Sequence, residues 1–121
     1  METIDSKKLA LTACKALSEK RGRDIVMLYV RERTSLCDYF VIASAGSAAQ
    51  IKAMGERVEE LVERELGLEP TRAEGVRDGR WGVIDYGDVI VHIFNDDTRL
   101  FYHLERLWSD GENLEKYVDE D

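Results

Sequence analysis

The residues most able to support catalysis are a glycine–serine pair and several aspartates. Gly46-Ser47 precedes a segment with helical periodicity, and the backbone N–H groups that begin a helix bind phosphate. Two carboxylates that project to the same side of one strand could then hold the metal ions of a phosphoryl-transfer site. The nearest pair, Asp85 and Asp88, instead lies across a predicted turn, and Asp96-Asp97 is placed to cap a helix. This spacing disfavours two-metal catalysis.

Histidine, cysteine and serine do not form a recognisable catalytic or metal-binding pattern in the sequence. His92 falls on a predicted strand and His103 in a predicted helix, so neither has the i, i+4 partner of a helix-borne zinc site. Cys14 and Cys37 lack metal-ligand spacing and are expected to be reduced cytosolic thiols. Ser44 lacks the strand-turn-helix context of a nucleophile elbow. We therefore predict a binding protein with no catalytic residue, no metal and no cofactor.

The segment over 80–108 holds both tryptophans and begins with a predicted β-hairpin. Residues 81–86 and 89–94 are rich in β-branched and aromatic residues, and Gly87-Asp88 between them suits a type II′ turn. This turn sets the register of the two strands, and residues that lie opposite each other share a face. One face is predicted to point to the core and carries Ile84, Tyr86, Val89, Val91 and Ile93.

The other face of the hairpin has two interpretations. It pairs Trp81 with Phe94, Val83 with His92, and Asp85 with Ile90. This mixed composition is consistent with a second, partly covered sheet face. It is also consistent with a partner surface, because an aromatic anchor ringed by polar groups is typical of binding hot spots. The pattern alone does not choose between the two.

Hydrophobic periodicity predicts the elements that position these residues. In chain order they are a helix over 6–20, strands over 24–30 and 37–45, a helix over 48–66, a short edge strand over 71–75, the hairpin, and a helix over 98–108 with Leu100, Leu104 and Leu107 inward. This order predicts an α/β fold, a mixed sheet of about five strands packed with helices. We predict one domain over 1–109 and a mobile acidic tail over 110–121.

Composition restricts the partners. The chain has 121 residues, enough for one domain, and a net charge of −8. Six acidic residues and one lysine lie within 109–121. A protein this acidic is not expected to bind a nucleic-acid backbone, which needs clustered Lys and Arg, but it could dock on a basic protein.

No apolar run approaches the roughly 20 residues of a membrane span, and the polar N-terminus lacks a signal peptide, so we predict a cytoplasmic protein with no membrane partner.

Several sequence blocks closely resemble one known family, the Iojap family of ribosomal silencing factors. The blocks are Asp38-Tyr-Phe-Val-Ile-Ala-Ser44, Gly46-Ser47, Glu74-Gly75, residues 81–94 and residues 99–108. The resemblance extends over about residues 5–109, and the tail lies outside it. It implies a small α/β fold, related in shape to nucleotidyltransferases but without their catalytic residues, and often a homodimer.

The resemblance also implies a function. Family members bind ribosomal protein fourteen of the large ribosomal subunit on the surface that the small subunit approaches, which blocks subunit joining and represses translation under nutrient limitation. We predict that Trp81 is the aromatic anchor of this contact. The predicted partner-binding residues are Trp81, Asp85, Tyr86, Asp88, Glu74 and Asp38. Of these, burial is the alternative role for Tyr86, and turn or surface positions explain the acids equally well.

Arg99, Tyr102 and Glu105 are expected to hold the last helix to the sheet. The alternative function is a nucleotide-binding or nucleotidyltransferase-like enzyme on the same fold, motivated by Gly46-Ser47 and the scattered acids.

Overall fold

A six-stranded mixed sheet forms the centre of the protein. The structure, a computed structural model, describes residues 5–76 and 79–118, and for Phe101 and Tyr102 the backbone alone. The helices are α1 (Ser6–Glu19), α2 (Ala48–Leu66), α3 (Asp96–Tyr102) and α4 (Leu104–Trp108). The strands are β1 (Arg23–Tyr29), β2 (Tyr39–Ala45), β3 (Arg72–Glu74), β4 (Trp81–Asp85), β5 (Val89–Asn95) and β6 (Leu114–Lys116). The predicted α/β class with a mixed sheet is confirmed.

The strand order is β3-β4-β5-β2-β1-β6. Strands β2 and β5 run parallel, whereas the other neighbouring pairs are antiparallel. The predicted hairpin register is confirmed, with Trp81 opposite Phe94 and Asp85 opposite Ile90. Gly87 adopts a φ of 88°, the positive value that a type II′ turn requires at its first central residue.

Helix α2 begins and ends where the sequence predicts. The Ser47 hydroxyl accepts a hydrogen bond from the Gln50 N–H at 3.1 Å, which caps the first turn. Gly67 adopts a left-handed φ of 68° and ends the helix. The Gln50 side-chain amide also donates to the Lys20 and Arg21 carbonyls, so the start of α2 is tied to the end of α1.

The two faces of the sheet are covered differently. Helices α1 and α2 pack on one face, and their apolar residues form the main core with the inward-facing strand residues. Cys14 belongs to this core, and burial raises the pKa of its thiol to about 12. The opposite face, hereafter the outer face, has a smaller core that includes Leu28, Phe40 and Phe94, against which Leu104 and Trp108 of α4 pack.

The last helix differs from the prediction. It is split into α3 and α4 by His103, which adopts a left-handed φ of 48°. Because the break interrupts the 3.6-residue period, Leu100, Leu104 and Leu107 do not share one helix face, and Leu100 and Leu107 are exposed, at 73% and 67%, rather than inward. Leu104 packs inward as predicted.

The prediction of a mobile tail after Ser109 is wrong for the residues of β6. This strand pairs antiparallel with β1, and the Asn113 side chain donates to the Tyr29 and Trp108 carbonyls at 2.8 and 2.9 Å. A strand of three residues is too short to show an alternating pattern in the sequence. The final acids of the predicted tail, Asp119, Glu120 and Asp121, lie outside the described residues.

Candidate functional site

The candidate site is the part of the outer face formed by β3, β4 and β5. Strand register places Glu74, Trp81 and Asp85 on this face together with Val83 and Ile90. Glu74 is exposed and the other four side chains are half-buried. Helices α1 and α2 lie on the opposite side of the sheet, so this area is open to solvent. Three of the six predicted partner-binding residues therefore share one accessible surface.

Trp81 is held in one orientation by two neighbours. Its indole ring stacks on Phe94 with a centroid separation of 5.0 Å, and its Nε1–H donates a hydrogen bond to His92 Nδ1 at 3.0 Å. His92 is itself buried and lies edge-to-face with Phe40 at 5.1 Å. The half-buried tryptophan thus presents a rigid aromatic surface, and a rigid side chain loses little conformational entropy when it binds.

Sequence reasoning missed His92 as the residue that positions Trp81. A signal was available, because Trp81 lies opposite Phe94 and His92 is two residues from Phe94 on the same strand face. Such diagonal cross-strand neighbours lie within reach of aromatic side chains. The hydrogen bond also defines the imidazole tautomer, since an Nδ1 that accepts leaves the proton on Nε2. In the described part of the chain, this buried Nε2 has no hydrogen-bond partner.

We expect His92 to make the protein sensitive to acid. Burial lowers its pKa from 6.5 to about 4, and the negative charge of Asp85 acts in the opposite direction as the smaller cause. Between these pH values the unfolded chain binds a proton that the folded chain does not. The contribution of His92 to the free energy of unfolding is therefore fully present above about pH 6.5 and is lost as the pH falls toward 4. The slope that this residue adds is at most about 1.4 kcal/mol per pH unit. Urea unfolding over a pH series measures this slope.

The control for the acid slope is the second histidine. His92→Gln is expected to flatten the slope between pH 6.5 and 4, whereas His103→Asn, at an exposed position, should leave it unchanged. An identical slope in wild type and His92→Gln would contradict the assignment.

The other predicted acids gather at the turn end of the hairpin. The negative charges of Asp38, Asp85 and Asp88 all act on the Cys37 thiol, whose pKa is raised to about 12 by burial first and by these carboxylates second. The Asp88 carbonyl accepts hydrogen bonds from the Asp38 and Tyr39 N–H groups at 2.7 and 3.1 Å, which joins the start of β2 to the turn. These three carboxylates therefore lie near one another beside the open part of the outer face, with Arg31 3.8 Å from Asp38 and Arg72 opposite Asp85.

Tyr86 lies on the opposite side of the sheet from Trp81. It packs against the main core, and burial raises the pKa of its phenol above the ordinary value. Its hydroxyl has no hydrogen-bond partner within the described residues. Tyr86 therefore supports the hairpin from the core side.

Arg99 and Glu105 hold the chain after β5 to the sheet, as expected. Arg99 is buried, donates to the Ser44 hydroxyl at 2.8 Å and forms an ion pair with Glu105 at 3.1 Å. The third expected residue, Tyr102, has a side chain outside the described part.

The start of α2 uses its polar groups internally. The Gly46 N–H donates to the Gln50 side-chain oxygen at 2.7 Å, and the Gln50 N–H donates to Ser47. The Gly46 and Gln50 N–H groups are thus occupied by the chain itself and are not directed at a phosphate. Across residues 5–76 and 79–118, no group of three or more His, Cys, Asp or Glu side chains is arranged to hold a metal ion. No described helix is both long and apolar enough to cross a membrane.

Comparison with known proteins identifies the family. Residues 3–121 match the RsfS family, described as "Ribosomal silencing factor during starvation", so the match includes the segment that the sequence resemblance left out. Ribosomal silencing factor RsfS of Halalkalibacterium halodurans is 34% identical over 112 residues, 93% of this chain and 95% of that protein. Chloroplastic protein Iojap of Arabidopsis thaliana is 33% identical over 115 residues, 94% of this chain and 47% of that protein.

Solved structures agree with the sequence comparison. A crystal structure of a Chromobacterium violaceum protein superposes with a TM-score of 0.83 at 30% identity and covers 96% of this chain and 95% of that one. A Bacillus halodurans structure gives a TM-score of 0.74 at 34% identity, over 84% of this chain and 94% of that one. The relatives from Halalkalibacterium halodurans and Bacillus subtilis are both named ribosomal silencing factor RsfS. The chain belongs to the RsfS family of ribosomal silencing factors.

Proposed function

We propose that this protein binds ribosomal protein fourteen of the large ribosomal subunit and blocks the approach of the small subunit. Translation is then repressed when nutrients are limiting, and the protein acts in the cytoplasm. Family membership supports a ribosomal partner. The observation that carries the contact is the open part of the outer face, where a rigid, half-buried Trp81 lies beside Val83, with Glu74 and Asp85 next to Val83.

The proposed mechanism is steric and requires no chemical step. One surface of the large subunit cannot hold two partners at once, so occupancy by this protein excludes the small subunit. The penalty to the competitor follows mass action, RT ln(1 + [L]/Kd), or about 2.7 kcal/mol at a concentration 100 times Kd. A tight contact at a modest concentration is therefore sufficient for silencing.

The acids of the site complement a basic ribosomal protein. Glu74 and Asp85 lie on the outer face with Trp81, and Asp38 and Asp88 lie at its turn end. Charge complementarity raises the association rate and orients the complex more than it adds affinity. In this proposal Trp81 is the anchor, the four acids steer the approach, and Tyr86 contributes by holding the hairpin from the core side.

Sedimentation of purified ribosomal subunits tests the function. Excess protein is expected to migrate with large subunits in a sucrose gradient and to reduce the fraction of joined ribosomes, since both partners need the same surface. Small subunits added first should compete with the protein. Full subunit joining in the presence of excess protein, or no migration with large subunits, would overturn the proposal.

A nucleotide-handling enzyme is the alternative function that the sequence leaves open. Gly46 and Ser47 are engaged by Gln50. Titration calorimetry with a nucleoside triphosphate and Mg²⁺ separates the two functions, because the enzyme requires binding heat that is lost in Asp85→Asn.

The homodimer expected from the resemblance is tested by sedimentation equilibrium of the free protein.

A further inference from the structure

A groove lies between α1 and the edge strand β6, away from the candidate site. Its volume is about 1010 Å³. Strand β6 is one edge of the sheet, whereas β3 of the candidate site is the other edge. The groove lining includes Leu11 of α1, which is 39% exposed, and Val118 after β6, which is 75% exposed. A large concave surface with exposed apolar groups at a strand edge suits an extended peptide.

The outward edge of β6 carries backbone groups that its pairing with β1 does not use. The Tyr117 N–H donates to the Ile25 carbonyl, and the Asn113 carbonyl accepts from the Tyr29 N–H. Every second residue of this segment, 113, 115 and 117, therefore directs its backbone groups toward β1. In an antiparallel pair the intervening residues, Leu114 and Lys116, turn their N–H and C=O groups away from that neighbour. Within the described residues, no strand lies beyond β6. These groups are positioned to form a ladder with an added strand.

The charge of the groove opposes that of the whole chain. Four of its lining residues are Lys7, Lys8, Lys15 and Lys116, against Glu19 and Glu115. Lys7 Nζ lies 3.8 Å from a carboxylate oxygen of Glu115, and Lys15 Nζ lies 3.7 Å from one of Glu65. All four side chains are exposed. Exposed pairs of this kind are weak and exchange readily for another carboxylate. A net positive groove on a chain with a charge of −8 favours an acidic occupant.

We propose that this groove binds an extended acidic segment of a protein partner, which adds to the sheet as a seventh strand beside β6. The main-chain groups of Leu114 and Lys116 bond to the segment. Successive side chains of a strand point to opposite faces of the sheet, so the carboxylates of the segment pair with the lysines of α1 on one face, and its alternate apolar side chains pack beside Leu114 and Val118 on the other. This contact is separate from the proposed ribosomal contact, so the two are expected to bind independently.

The test uses a fluorescent synthetic peptide of alternating valine and glutamate, and fluorescence anisotropy with the full chain. The peptide should bind wild type, more weakly as salt rises, because salt screens exposed charges. The double variant Lys7→Glu, Lys8→Glu should weaken binding by roughly tenfold or more, while glutamate in the first turn of α1 is compatible with the helix dipole. Lys52→Glu, on the exposed side of α2, is the matched control and should bind as wild type does.

A second variant tests the strand contact itself. Lys116→Pro removes the outward N–H but no bond to β1, and proline is tolerated on edge strands. We expect it to abolish peptide binding, whereas Lys116→Gln, which removes the charge alone, keeps most of it. Circular dichroism of both variants confirms that the sheet is intact.

Four outcomes would overturn the proposal. The first is that wild type does not bind the valine–glutamate peptide, and the second is that it binds a valine–lysine peptide with the same affinity. The third is that Lys116→Pro, with an intact sheet, binds the peptide as tightly as wild type does. The fourth is that self-association of the chain displaces the peptide, which would assign the groove to a second copy. None of these bears on subunit joining, so a failure here is distinguishable from a failure of the proposed function.

Discussion

Trp81→Ala is expected to weaken binding to large ribosomal subunits by about 30-fold or more, which corresponds to about 2 kcal/mol. The indole is the largest apolar group on the open part of the outer face, and its orientation is already set by Phe94 and His92. Truncation removes both the contact area and the preorganised shape. Binding is measured by sedimentation of labelled protein with purified large subunits.

The Trp81 experiment needs a control for folding, because alanine also leaves His92 without its donor. Trp81→Phe keeps an aromatic ring over Phe94 and should bind with intermediate affinity. Leu11→Ala truncates a partly exposed leucine on α1, at the other face of the sheet, and should bind ribosomes as wild type does. If Trp81→Ala unfolds cooperatively and binds with wild-type affinity, Trp81 is not part of the contact.

Arg99→Ala is expected to lower the free energy of unfolding by about 3 kcal/mol, at the low end of the range for breaking a buried ion pair. Glu105 keeps a side-chain exposure of 20%, so water partly compensates its lost partner. The substitution also leaves the buried Ser44 hydroxyl without its donor and removes the polar link from α4 to the sheet, while Leu104 and Trp108 still pack on the smaller core. Urea unfolding measures the loss.

A neighbouring ion pair provides the control for Arg99. Arg23 binds Asp96 at 2.8 Å, but both side chains are about half exposed, at 51% and 53%. Arg23→Ala is therefore expected to have a much smaller effect, because exposed pairs contribute little. Equal losses in the two variants would show that burial does not determine the contribution of Arg99.

Elements with strong local signals could be predicted closely. Helix α2 is long, periodic and bounded by Ser47 and Gly67, so its ends followed from capping chemistry. The hairpin register followed from Gly87, since a two-residue turn leaves one alignment. Elements without such signals were missed, namely the short β6 and the break at His103, a non-glycine residue in the left-handed region.

The candidate site was predicted in part. Alternation along β4 placed Trp81 and Asp85 on one face and Tyr86 on the other, and the structure agrees. The alternation does not say which neighbours approach from other strands. The hydrogen bond from Trp81 to His92 and the gathering of Asp38 with Asp88 depend on strand pairing across the sheet.

The sequence by itself determined the family, the α/β class, the main helices and the face on which Trp81 lies, because these depend on local periodicity, turn chemistry and motif identity. The tertiary structure alone decided that Trp81 remains accessible. That outcome depends on α1 and α2 both packing on the opposite face and on α4 being too short to cover β3 and β4. Coverage of a sheet face is a property of distant segments, and no local pattern in the chain encodes it.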